Sequence, residues 1–142
     1  MLAMDLAKIP LFSMLRSRLG YLSERQTVIA ENVANADTAR YASQDLKPFS
    51  FEARVQMRTG PAAMAATQAG HITPPSARRS LGAEWKSVKT PGSETTLNGN
   101  SVVLEEEMIK MGDARMQYDA AIGFYQKSLT MLRLASRRPG GG

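Results

Sequence analysis

Apolar residues recur along this chain in two stripes, one toward each end, and both alternate steps of four and three. The first stripe is Leu15, Leu19, Leu22, Ile29 and Val33, with Gln26 as its single polar interruption. The second is Leu104, Met108, Met111, Tyr118, Ile122, Tyr125, Leu129 and Leu132, interrupted by Arg115. A mean repeat of 3.5 residues keeps one seam turned toward a partner helix, the pattern of a coiled coil. The stripes predict two long helices, from about Leu11 to Ala36 and from about Val103 to Ser136. The second would be roughly 50 Å long. A chain patterned this way is built for helix-to-helix assembly rather than for chemistry.

Punctuation divides the chain into four parts. Residues 1–38 hold the first assembly helix. Pro10 suits its first turn, where a missing N–H costs nothing, and Gly20 is a local weakness of up to ~1 kcal/mol against Ala. Asn35 to Thr38 read as a helix end and turn. Residues 39–100 form an irregular, partly disordered middle rich in Pro and Gly. Pro74-Pro75, Pro91-Gly92 and Asn98-Gly99 are loop signals there. Phe51, Val55 and Met57 are compatible with a short helix or a strand. Residues 101–136 hold the second assembly helix. Glu105, Glu106 and Glu107 in its first turn and Arg133 and Arg137 at its end complement the helix dipole. Residues 137–142 are a flexible tail. The expected fold is therefore mainly α.

Composition changes this picture in three ways. The chain has 142 residues, 9 Met and few aromatics, so its apolar set is adaptable rather than rigidly specifying. With that set gathered at the two ends, burial against partners is expected to complete the core. The formal net charge of +5 comes from scattered Lys and Arg without a basic face interleaved with aromatics, so nucleic-acid binding is not expected. The absence of cysteine removes disulfides, Cys-based zinc sites and thiol nucleophiles. No apolar run approaches the ~20 residues of a bilayer span. Met1 to Phe12 carries Asp5, Lys8 and Pro10 in its apolar stretch, so no cleaved secretory signal is expected.

Candidate chemistry is sparse. His71 is the one histidine and lacks partners at ligand or triad spacing. Consecutive Glu105, Glu106 and Glu107 point around a helix, so they read as dipole partners in solvent rather than as an acid or metal site. Met108, Met111 and Met116 fit helix packing better than a soft-metal site. No catalytic residue, cofactor or metal is expected.

The segment around Asn32 and Asn35 stands apart. The two amides lie three residues apart on one helix face beside the seam. Local capping explains them, and so do hydrogen bonds to a neighbouring helix. The positions Asn32, Ala34, Asn35, Thr38 and Tyr41 fall on a pattern that resembles N-x-A-N-x-x-T-P-G-Y, the N-terminal signature of the bacterial flagellar axial proteins of rod, hook and hook-filament junction. Ala39 and Arg40 stand where that family has Pro-Gly, and Arg resists the positive φ that Gly permits. Leu97 to Met108, with Gln117 to Ala121, is similar to the C-terminal pattern of the short proximal rod proteins. Thr67 to Ile72 adds a third point of similarity. The C-terminal pattern and the length favour one proximal rod branch over the related FlgC.

The resemblance implies a structural subunit of the flagellar proximal rod, in the periplasm-spanning basal body. Such subunits leave the cell through the flagellar type III apparatus without a cleaved signal, and contribute to torque transmission and motility. Their terminal helices pack together as a coiled-coil-like layer. The implied partners are copies of itself, other rod proteins of the FlgC and FlgF type, the FliE adaptor and the export gate. A helical adaptor or export chaperone is the competing class. The resemblance also implies an Asp cap where this chain has Val103. Val cannot cap, so the second helix is expected to begin a turn earlier, on Asn100 or Ser101.

Overall fold

The computed structural model describes residues 9–50 and 85–137. Two helices, α1 (Pro10–Ala34) and α2 (Leu104–Ser136), run side by side, and a short two-stranded antiparallel ribbon lies against them. In the ribbon, β1 (Gln44–Leu46) pairs with β2 (Ser87–Lys89), with Gln44 opposite Lys89, Asp45 opposite Val88 and Leu46 opposite Ser87. Pro10 is the first residue of α1, where its ring costs no hydrogen bond.

The two helices are antiparallel neighbours, and matched contacts along their length set the register. Phe12 meets Tyr125 edge-on at 5.3 Å between ring centroids. Further along, Arg18 donates to Gln117 at 3.2 Å, Arg25 reaches Asp113 at 3.4 Å, and Asn32 reaches Glu107 at 2.8 Å. The core centres on Tyr21, Leu22, Val28, Leu46 and Ala121, with Leu19, Phe49, Trp85 and Tyr118 packed on it. Tyr21, Phe49 and Trp85 form an aromatic trio with centroids 5.3–5.7 Å apart. These rings fasten both arms of the ribbon to the middle of α1. Aromatic pairs of this geometry add about 0.5–1.5 kcal/mol each beyond their buried area.

The middle segment is thus structured at both its ends. Phe51, Val55, Met57, Thr67 to Ile72 with His71, and Pro74-Pro75 lie outside the described residues. The start of α2 corrects the expectation of an earlier cap. The helix begins at Leu104 with Val103 as its N-cap and no side-chain cap bond. Asn100 and Ser101 serve elsewhere. Asn100 donates to the carbonyls of Asn35 and Thr38 at 2.9 and 2.7 Å and accepts from the Val102 N–H at 2.9 Å. The Ser101 hydroxyl is buried without a hydrogen-bond partner, while its backbone bridges Tyr41 and Gly92.

Candidate assembly surface and its polar lock

Asn32 is the residue around which the two helix ends are organised. It is completely buried and uses all of its hydrogen-bonding capacity. Its amide nitrogen donates to the Gln44 carbonyl at 2.7 Å and to the Glu107 carboxylate at 2.8 Å. Its oxygen accepts from the Gln44 N–H at 2.9 Å and from the Tyr41 hydroxyl at 3.1 Å. An amide offers two donors and two acceptor sites, so one side chain joins α1, the turn after it, β1 and α2. Glu107 is 1% exposed and completes its own pairing with Lys110 at 2.8 Å. Burial holds the Tyr41 hydroxyl above its ordinary pKa, assisted by the negative charges of Glu31 and Glu107. The neutral phenol is the form that donates to Asn32.

The two signature amides have different roles. Asn32 bonds a neighbouring helix. The Asn35 side chain bonds locally, to the Glu31 carbonyl and the Thr38 hydroxyl. It is the Asn35 backbone carbonyl that is tied across the chain, by Asn100. Ala34 is the exposed last residue of α1 and Thr38 an exposed turn residue. Arg40 adopts φ +59°, so it takes the left-handed conformation that suits a glycine.

The glutamate triplet is also divided. Glu105 is exposed. Glu106 accepts from the Ser93 N–H at 3.3 Å through both oxygens. Hydrogen bonding from Ser93 holds its carboxyl below the usual carboxylate range, with Lys110 adding to the effect. Glu107 is buried in the lock, which corrects its reading as a solvated dipole partner. A second polar junction was not legible in the sequence. Arg25 grips Asp45 of β1 through two parallel bonds of 2.9 and 3.0 Å and reaches Asp113 of α2. The bond to Asp45 raises the Arg25 pKa most. A bidentate fork of this kind fixes orientation as well as charge.

The stripe residues divide between the helix pair and the surface. Leu15, Leu22 and Ile29 are buried on α1, Leu19 is half-buried, and Val33 is 43% exposed. On α2 the fully buried positions are Glu107, Ala114 and Ala121, with Met111, Tyr118, Tyr125 and Leu132 half-buried beside them. This contact face alternates in the same steps as the predicted seam but is rotated about 60° around the helix axis. Ile122 and Leu129 are therefore half-buried, Leu104 is 44% exposed and Met108 is 70% exposed. The two polar interruptions, Gln26 and Arg115, line one open groove between the helices with Ser23, Thr27, Ala30 and Met111. Among the described residues no helix is long and apolar enough to cross a membrane.

Comparison with known proteins adds a separate line of support. Residues 14–41, the stretch from the start of the first seam to the signature Tyr41, match the family described as flagella basal body rod protein. The chain is 31% identical over 131 residues to the flagellar basal body rod protein FlgB of Agrobacterium fabrum strain C58, covering 92% of this chain and 95% of that one. It is 30% identical over 113 residues to FlgB of Escherichia coli K12, covering 73% of this chain and 76% of that one. FlgB of Salmonella typhimurium LT2 gives 30% over 108 residues, with the same coverage.

Proposed function

Since this chain belongs to the FlgB family of flagellar basal body rod proteins, we propose that it forms the proximal part of the rod and transmits torque there. Its role is structural and its place is the basal body. The subunit is exported by the flagellar type III apparatus. It joins copies of itself, rod proteins of the FlgC and FlgF type, and the FliE adaptor beside the export gate. What carries this reading is the division of the apolar stripes. One part closes the α1–α2 pair, while Val33, Leu104 and Met108 stay on the surface for neighbouring subunits. The buried lock at Asn32 and Glu107 stiffens the pair, as a torque-bearing layer requires. The FlgB names of the relatives favour this reading over FlgC and over an adaptor or chaperone.

Met108→Asp tests it. Met108 is 70% exposed, so the isolated chain keeps its fold, whereas an apolar contact between subunits would acquire a desolvated carboxylate. In a strain lacking the native gene, the wild-type chain restores motility and appears in purified basal bodies. The Met108→Asp chain is expressed but missing from them. Motility with Met108→Asp would remove this seam from assembly. Failure of the wild-type chain to enter basal bodies would overturn the rod reading itself.

A further inference from the structure

A second apolar stripe lies on α2, about 120° around the helix from the face that meets α1. It consists of Ile109 at 73% exposure, Met116 at 67%, Phe124 at 52% and Met131 at 58%, with exposed Ala120 at its centre. None of these residues belongs to the seam already described. A soluble surface seldom leaves large apolar side chains in one contiguous row, and such a row marks an interaction site.

The order of residues in this row says what covers it. Counted outward from Ala120, Met116 and Phe124 stand four residues to either side. Asp113 and Lys127 stand seven to either side, and Ile109 and Met131 eleven. Four, seven and eleven are the steps at which an α-helix returns to one face. An antiparallel copy of the same helix, crossing at Ala120, places Met116 against Phe124 of the second copy and Ile109 against its Met131. It also places Asp113 against Lys127 of the second copy, with opposite charges facing. Each of these contacts occurs twice, as two-fold symmetry demands. The small side chain at the crossing lets the backbones approach. Asp113 accepts from Arg25 and Gln117 through the same oxygen, Oδ2, and keeps 45% of its side chain exposed, so a second cation can reach its other oxygen.

We propose that the free chain forms an antiparallel dimer through this face of α2, with the two-fold axis at Ala120. The contact is closed, so it ends at two copies and covers the stripe without starting a polymer. It concerns the chain before incorporation and does not depend on the proposed place in the rod.

The chain has no cysteine, so single cysteines report the geometry directly in the purified full-length protein. Ala120→Cys is expected to form a disulfide-linked dimer under mild oxidation. Met116→Cys alone is not, whereas Met116→Cys mixed with Phe124→Cys gives the crossed dimer. Sedimentation of the wild type should show twice the 15.5 kDa monomer mass. Phe124→Asp should weaken that association at least about tenfold with unchanged helicity. Lys127→Asp should weaken it too, by setting a carboxylate against Asp113 of the second copy. A monomer at about 100 μM would overturn the proposal, leaving the stripe for other rod subunits. Self-crosslinking of Met116→Cys as efficient as that of Ala120→Cys, or a ladder of higher oligomers, would overturn it in favour of a parallel or open-ended contact.

Discussion

The side chain of Asn32 in α1 donates to Glu107 in α2, 75 residues later, at 2.8 Å and without access to solvent. Removing the amide leaves a buried carboxylate paired only with Lys110 and strips Gln44 and Tyr41 of their partner. Asn32→Ala is expected to destabilise the chain by about 3 kcal/mol. Asn35→Ala, which loses only exposed local bonds, should cost about 1 kcal/mol or less. Urea unfolding followed by far-UV circular dichroism measures both. Equal costs at the two positions would mean that the bond between helices contributes nothing beyond local capping.

Arg40 offers the opposite kind of test. It holds φ +59° on an exposed turn, a conformation that costs a residue with a Cβ roughly 1 kcal/mol and costs glycine nothing. Arg40→Gly should therefore raise stability by about that much, against the usual direction of a glycine substitution. The backbone bond from the Arg40 N–H to the Asn98 carbonyl at 3.0 Å is kept. A lower thermal midpoint in Arg40→Gly would show that the Arg side chain itself supports the turn.

Gly92 sits where no side chain fits. A Cβ there would lie 2.7 Å from the Ser101 carbonyl oxygen and 2.8 Å from the Val103 side chain. Because one of these is backbone, Gly92→Ala must push the loop away from α2 and stretch the Gly92 N–H bond to Ser101. The expected cost is about 1–3 kcal/mol. Amide exchange should show lost protection at Gly92 and Ser93 while the middle of α2 keeps its own. Unchanged exchange would mean that the loop does not rely on this approach.

Alkali should loosen the ribbon before it unfolds the helices. Burial raises the Tyr21 pKa, with the Asp45 charge acting in the same direction and Arg25 and Arg18 opposing. A raised pKa means that the folded chain holds the phenolic proton more tightly than the unfolded one. That stabilisation is complete below the ordinary tyrosine value of about 10 and is lost as pH rises through the folded value. Tyr21 meets Trp85, the only tryptophan, edge-on at 5.3 Å between ring centroids, so Trp fluorescence reports the transition. Tyr21→Phe should shift the alkaline midpoint upward. An unshifted midpoint would assign the transition to other groups.

The parts of this structure that could be read from sequence are those set by long periodic signals. Two helices emerged from the 3.5-residue stripes, with ends near Pro10, Ala34, Leu104 and Ser136. The ribbon did not, because strands of three residues, Gln-Asp-Leu and Ser-Val-Lys, carry no measurable alternation. The phase of α2 was also illegible. Apolar residues surround much of that helix, and its contact face is set by Ala114 and Ala121, whose small size lets α1 approach. In sequence Glu107 looks solvated, because nothing local distinguishes it from Glu105 and Glu106. Its partner is an amide 75 residues earlier. Asn32 itself was visible as a signature position, but only the fold separates its role from that of Asn35.

The carbonyls of Asn35 and Thr38, in the turn that leaves α1, both accept from Asn100, a residue 65 positions beyond Asn35. Chain synthesis proceeds from the N-terminus. A growing chain therefore carries a first helix whose exit turn lacks this donor until Asn100 has emerged. Closing a loop of that length costs entropy that only the finished helix pair can offset. The first helix is complete in sequence long before it is complete in structure. This delay leaves the N-terminal stripe available to other molecules for as long as α2 has not arrived.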